Sequence, residues 1–268
     1  AACDTAVRLL NPDRVIKHID GDYDPPDNTL PDNHVYCTWY NGHGIDMGRL
    51  HRGYWLGVKK DWYYGCGEFG AEGLDPVPLM KARYPKEWLP ASAEEEKTWT
   101  PGRIKDAQSG NMHYFYYDTQ DNLEDWVTES HKHQAFGTKV QTEAFRRDPN
   151  MITFALHLFI DAWPSGWMKT VVDCERNPKP AFYTFRRTAK PLIASVTEED
   201  GAYCVYVSHR GSAFVSAAGR LYRYNIVTGE EEELCRTATI RLENESRMIA
   251  SVPAESVVLD REHILIFD

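Results

Sequence analysis

In the first 190 residues, short apolar runs alternate with segments whose apolar positions recur at helical spacing. The runs predict β-strands over residues 15–19, 34–39, 62–67 and 151–160. The helical spacing predicts helices over residues 1–10, 47–60, 123–147 and 181–189. Strands that alternate with helices are typical of βα units in a parallel sheet. The strand over 151–160 is almost continuously apolar, which is typical of a strand buried on both faces.

After Pro191 the pattern changes to short alternating runs separated by turns such as Glu199-Asp200-Gly201. These runs predict strands over residues 192–196, 202–207, 221–227, 238–242, 248–252 and 263–267. Short strands at regular spacing are the mark of an antiparallel β-sandwich. We therefore predict two domains, residues 1–190 and residues 191–268.

Polar residues follow several predicted strands of the first domain. They are Asp22, Tyr40, Asn41, His43, Glu68, Asp161 and Trp163. In parallel sheets and barrels, chemistry collects on the loops at the carboxyl ends of the strands, so we expect a site there. Glu68 stands among glycines at the end of a strand, a common setting for a catalytic carboxylate. The alternative is a solvated loop glutamate.

The sequence pattern leaves open the roles of two segments. Residues 75–122 are interrupted by prolines and lack periodicity, so they form either a lid or binding loop, or an excursion that packs its aromatic residues outside the fold. His131 and His133 resemble a metal pair, but residues i and i+2 of a helix point in different directions. We therefore predict a solvated helix face for both histidines.

Composition narrows the classes of function. A formal charge of −10 argues against a nucleic-acid partner, and the absence of an apolar run of 18 residues argues against a membrane span. The six cysteines include no C-x-x-C pair, and Cys37, Cys66 and Cys204 are predicted to be buried thiols. No metal and no cofactor are predicted, and the compartment stays open. The chain opens inside a helix without the features of a signal peptide, so we expect it to be part of something longer.

Three motifs carry a resemblance to a known family. Gly67-Glu68-Phe69-Gly70 resembles the Ser/Thr-Glu-Phe/Tyr-Gly nucleophile motif of glycoside hydrolase family 2, which includes β-galactosidases, β-glucuronidases and β-mannosidases. A second stretch resembles the end of the catalytic barrel in the β-mannosidase-like branch. It consists of Asp161-Ala162-Trp163-Pro164, Val172-Asp173 and residues 178–183. Residues 9–14 resemble the Leu-Asp-Pro-Thr-Arg stretch after the fourth barrel strand. The three motifs stand in the family's order and span residues 5–190.

The resemblance implies the second half of a (β/α)8 TIM barrel, followed by an immunoglobulin-like antiparallel β-sandwich. It also implies a retaining β-glycosidase of the β-mannoside or β-galactoside type, with Glu68 as nucleophile and Tyr40 as its hydrogen-bond partner. The general acid/base should end the fourth strand in an Asn-Glu pair, but the chain's one such pair, Asn244-Glu245, lies in the second domain. We therefore expect the N-terminal half of the enzyme as a separate or cleaved chain, without which this chain is inactive.

The chain departs from the family at the eighth strand, where His157-Leu158 replaces the usual Trp-Gln. Trp163 is then the candidate stacking platform for a sugar, with core packing as the alternative. Glu72 competes with Glu68 for the nucleophile role, although a loop or helix-start position is expected for it. The residues assigned to carbohydrate binding are Asp22, Asn41, His43, Glu72, His157, Asp161 and Trp163. The substituted eighth strand keeps open a second function, that of a non-catalytic carbohydrate-binding scaffold.

Overall fold

The computed structural model describes residues 2–14, 16, 63–105, 107, 113–164 and 168–268. The predicted N-terminal helix is confirmed as α1 (Ala2–Leu10). The strands predicted over 15–19 and 34–39 and the helix over 47–60 lie outside these residues, apart from Ile16. So do Asp22, Cys37, Tyr40, Asn41 and His43.

A parallel pair of strands organises the first part of the described chain. Strand β1 (Tyr64–Phe69) pairs with β2 (Met151–Leu156), and Gly65, Cys66 and Phe69 lie opposite Thr153, Phe154 and Leu156. Both strands end elsewhere than predicted. β1 ends two residues later, so that Glu68 is its penultimate residue. β2 ends at Leu156 because the chain then pairs with residues 169–172, through Leu158 N to Lys169 O and Val172 N to Phe159 O.

A single long helix covers one face of this pair. Between β1 and β2 the chain forms α2 (Val77–Arg83), α3 (Ala93–Glu96) and α4 (Leu123–Arg147), which begins at an Asn122 cap that accepts from Asp125 N. The ring of Phe145 lies 5.0 Å from Phe69 and 5.2 Å from Phe154, centroid to centroid. Parallel strands need a long crossover connection, and α4 is a major part of it.

The prediction that β2 is buried on both faces is wrong for the described structure. Ile152 is 64% exposed, and Phe159 and Ile160 beyond the strand are 51% and 46% exposed. The described residues therefore cover only one side of β2 and of the apolar residues that follow it.

The described part of residues 75–122 packs against α4. Short 3-10 turns at Lys86–Trp88, Pro101–Arg103 and His113–Phe115 accompany α2 and α3. Trp99 and His113 both pack edge-on against Trp126 of α4, at centroid distances of 6.1 and 4.6 Å. This packing favours the excursion over the lid. Tyr114 and Phe115 nevertheless remain more than half exposed.

After α5 (Pro180–Thr188) the chain forms antiparallel sheets. The strands are β3 (Leu192–Glu199), β4 (Ala202–His209), β5 (Val215–Ala217), β6 (Arg220–Asn225), β7 (Glu231–Arg236), β8 (Ile240–Leu242), β9 (Ser246–Pro253) and β10 (His263–Phe267). They pair in the orders β3-β4-β9, β10-β6-β7 and β5-β8, and none of the described sheets is closed. Val205 and Leu221 are fully buried between them.

The sequence pattern missed β5 and β7. β7 begins with three glutamates, which hide its alternation, and its place is set by pairing with β6. Glu231 and Glu232 lie 2.9 and 2.7 Å from Arg220 and Arg223 of that strand. Charge pairing across strands therefore replaces the apolar alternation from which strands are predicted.

Two composition-based predictions can be compared with the structure. Cys66 and Cys204 are buried free thiols, as predicted. Within the described ranges, no helix combines the length and the apolar character needed to cross a membrane.

Arg146 joins the helical part to the antiparallel sheets. Its guanidinium donates to the carbonyl oxygens of Thr188, Lys190, Pro191 and Ser208, at 2.9, 2.7, 2.8 and 3.1 Å. Burial, and then the charge of Arg210, lower its pKa to about 10. The connection near residue 190 is therefore held by one cation that binds four backbone acceptors.

We expect Arg146→Ala to lower the free energy of unfolding by about 3 kcal/mol, because several charge-assisted hydrogen bonds are lost at a buried position. Urea unfolding measures the change. Arg186→Ala, at an exposed position of α5, is the control and should change stability by less than about 0.5 kcal/mol. Equal effects of the two substitutions would contradict this role of Arg146.

Candidate active site

Glu68 and His157 meet where the paired strands end. Glu68 is the penultimate residue of β1, and His157 follows β2 directly, with its backbone N–H donating to Phe69 O at 2.9 Å. The Glu68 carboxylate oxygen Oε2 lies 3.7 Å from His157 Nε2. The side chains are 31% and 15% exposed. The structure thus brings together two of the predicted site residues at the carboxyl ends of parallel strands.

Glu72 lies in a buried segment that follows β1. Residues 70–75 are all buried and have no regular secondary structure, and Glu72 itself is 7% exposed. Helix α2 begins only at Val77, so the expected helix-start position of Glu72 is wrong, whereas its loop position is confirmed.

A buried lysine near Glu68 and Glu72 was missed by sequence reasoning. Lys169 is 2% exposed. Burial dominates and lowers its pKa to about 8, although the negative charges of Glu72 and Glu68 act in the opposite direction. Glu72 also acts on Tyr117, whose pKa is raised first by burial and then by the charges of Glu72 and Glu129. The one available signal was a lysine inside the otherwise uncharged run Met168 to Val172.

Asp161 and Trp163 have opposite environments. Asp161 is 6% exposed, and its Oδ2 accepts from the Thr170 hydroxyl at 2.7 Å. Burial raises its pKa to about 6, against the opposing effects of the Thr170 hydrogen bond and the Lys179 charge. Trp163 is 65% exposed, so the alternative of core packing is wrong for this residue.

The histidine pair of α4 is not a solvated face. His131 is partly buried and its Nε2 lies 2.6 Å from Leu74 O, while His133 is 7% exposed and stacks on Tyr116 at 4.5 Å. Neither faces open solvent because both pack against the segments that precede α4. The described residues contain no group of three or more His, Cys, Asp or Glu side chains that could hold a metal ion.

Known structures share this fold. A β-D-mannosidase from Dictyoglomus thermophilum matches 91% of this chain with a TM-score of 0.66 and 16% sequence identity. The exo-chitosanase of Amycolatopsis orientalis matches 79% of the chain with a TM-score of 0.55 and 17% identity. The chain therefore shares its fold with a part of each of these two glycoside hydrolases. The resemblance to the C-terminal region of a family 2 glycoside hydrolase is therefore confirmed at the level of the fold.

The chain spans 29% of the length of the mannosidase and 27% of the length of the exo-chitosanase. No protein-family model matches the sequence, and no curated protein matches it either. The likeness thus lies in the fold of a part of these enzymes.

We expect Asp161→Asn to become more stabilising, relative to the parent protein, as pH rises from about 4 to 6. The folded-state pKa of Asp161 is raised to about 6, so the folded protein keeps a proton that the unfolded chain loses near pH 4. Stability from this group is therefore present at low pH and lost as pH rises through that window, by up to about 3 kcal/mol. The asparagine side chain does not ionise, so the variant does not lose this stability, and its amide oxygen can still accept a hydrogen bond from the Thr170 hydroxyl.

Urea unfolding at pH 4, 5, 6 and 7 measures the difference between the two proteins. The control is Asp118→Asn at an exposed position. If the stability difference between Asp161→Asn and the parent stays constant across these pH values, the pKa of Asp161 is not raised in the folded protein.

Proposed function

We propose that the chain is the C-terminal part of a retaining β-glycosidase that hydrolyses terminal β-glycosidic bonds of the β-mannoside or β-galactoside type. Residues 1–190 would form the second half of a TIM barrel, and residues 191–268 an immunoglobulin-like sandwich. The observation that carries the proposal is the place of Glu68. It stands at the carboxyl end of β1, beside the end of β2, in a fold shared with a β-D-mannosidase and an exo-chitosanase.

In the proposed double displacement, the Glu68 carboxylate attacks the anomeric carbon while the bond to the leaving oxygen breaks. A second carboxylic acid protonates that oxygen. The same group then removes a proton from water, which attacks the anomeric carbon, releases the sugar and regenerates Glu68. Retention of configuration requires the two carboxyl groups to lie about 5–5.5 Å apart.

Exposure favours Glu68 over Glu72 as the nucleophile. The Glu68 side chain is 31% exposed and can be reached by a substrate, whereas Glu72 is 7% exposed. Lys169, buried near both carboxylates, contributes a positive charge to this part of the site. An ionised carboxylate is what the attack requires.

The second carboxyl group comes, in this proposal, from the N-terminal half of the enzyme, as a separate or cleaved chain. Support comes from the apolar surface formed by Ile152, Phe159 and Ile160, which the described residues leave exposed. Trp163, 65% exposed beyond β2, supplies an indole face on which a sugar ring can stack. Tyr40, Asn41, His43 and Asp22 stay predicted site residues.

We expect a 2-deoxy-2-fluoro β-glycoside with a good leaving group to label Glu68 in the complete enzyme, because the fluorine slows hydrolysis of the glycosyl-enzyme. Mass spectrometry of the digested protein locates the label. Glu68→Gln should lower kcat by at least about 10³-fold, because the amide is a much poorer nucleophile. Glu94→Gln, at an exposed position of α3, is the matched control and should leave kcat unchanged.

Activity that survives in Glu68→Gln but is lost in Glu72→Gln would show that the nucleophile is wrongly assigned. The substitution of His157-Leu158 for the family's Trp-Gln favours one other function, a non-catalytic scaffold that binds carbohydrate. That function predicts oligosaccharide binding by calorimetry in both the parent protein and Glu68→Gln, with no label on Glu68.

A further inference from the structure

Side chains from elsewhere in the chain bind several backbone groups of the buried segment 70–75. It lies inside the protein but belongs to no helix or strand. Gln134 donates to Ala71 O at 3.0 Å, and the Ser130 hydroxyl accepts from Leu74 N at 3.0 Å. Since buried peptide groups without partners are costly, these side chains of α4 hold the segment in one conformation.

Lys179 contributes a charged contact to this segment. It lies just before α5, yet its ammonium donates to Gly73 O at 2.7 Å and lies 3.2 Å from Asp75 Oδ1. The two charged side chains are 0% and 1% exposed. The other oxygen of Asp75 accepts from the Tyr84 hydroxyl at 2.8 Å. Burying both charges is expensive, so their geometry has to be well satisfied.

The same lysine is also fixed to the segment that carries Lys169. Its backbone N–H donates to Val171 O at 2.8 Å, two residues beyond Lys169. A further bond joins the two segments directly, from Gly73 N to Met168 O at 3.0 Å. Gln134 reaches both as well, since it donates to Ala71 O and to Thr170 O. Lys179 therefore lies where the segment of Glu72 meets the segment of Lys169.

We propose that Lys179 is a positioning residue for the candidate active site. Its ammonium binds Gly73 and Asp75 while its backbone N–H binds Val171, so that the segments of Glu72 and Lys169 keep their places near Glu68. This inference rests on the proposed function for its catalytic consequence, but the positioning of the two segments can be tested without it.

The first experiment measures amide hydrogen exchange by mass spectrometry in peptides that cover residues 70–75 of the complete protein. Lys179→Met should speed their exchange about tenfold or more, because Gly73 O loses its donor and the segment opens locally. Lys139→Met is the matched control. It removes an ion pair of α4 with Glu143, and should leave exchange in residues 70–75 unchanged.

Lys179→Met leaves Asp75 buried without its cation and can prevent folding. The double variant Lys179→Met/Asp75→Asn removes both charges with little change in volume, and should show the same local increase in exchange. Unchanged exchange in residues 70–75 of either folded variant would overturn the inference.

The second experiment follows the rate at which the fluoro-glycoside labels Glu68. In the folded variant we expect a loss of about 10- to 100-fold in the labelling rate at saturation, with little change in the concentration for half-saturation. A purely structural role would leave this rate constant unchanged in the molecules that are folded, and that result would overturn the catalytic part. If the parent protein is not labelled at all, the proposed function fails, and hydrogen exchange alone decides whether Lys179 positions the segments.

Discussion

The parallel pairing of β1 with β2 is the constraint on which the rest of the described structure depends. Parallel strands bring their carboxyl ends to the same edge of the sheet, and for that reason Glu68 and His157 lie 3.7 Å apart although they are distant in the chain. The pairing also requires a long connection. Helix α4 supplies much of it, and Phe145 packs on Phe69 and Phe154 to hold the helix against the strands.

Several buried charged side chains lie in the segments that follow β1 and β2. Glu72, Lys169, Asp161 and the Lys179–Asp75 pair are each less than a tenth exposed. Charges in such positions are expensive unless they have partners, so each must keep a defined place. The same restriction suits a site that stabilises a changing charge distribution, because dipoles and charges that are already in place need no reorganisation during a reaction. In the proposed glycosidase, Glu68 would remain open to a substrate, since its side chain is more exposed than any of these groups.

Much of the fold follows from local patterns in the sequence. Helical spacing located α4 and α5 to within one residue, and short alternating runs located most strands beyond residue 190. The glycines around Glu68 and the motifs near Asp161 and Pro178 led to a resemblance that the shared fold confirms. These signals are readable because each depends on neighbours in the chain: the period of a helix or strand, the turn that glycine permits, and the order of motifs.

Other features depend on contacts between distant segments, and these only the tertiary structure decided. The sequence by itself determined α1, α4 and α5, most of the strands beyond residue 190, and the position of Glu68 near the end of a strand. It did not determine that Lys169 and Lys179 are buried, since lysine is ordinarily a surface residue and its burial here follows from partners elsewhere in the chain. It also did not determine that His133 packs inside or that Ile152 stays exposed. Burial depends on which surfaces meet, and a one-dimensional pattern does not contain that information.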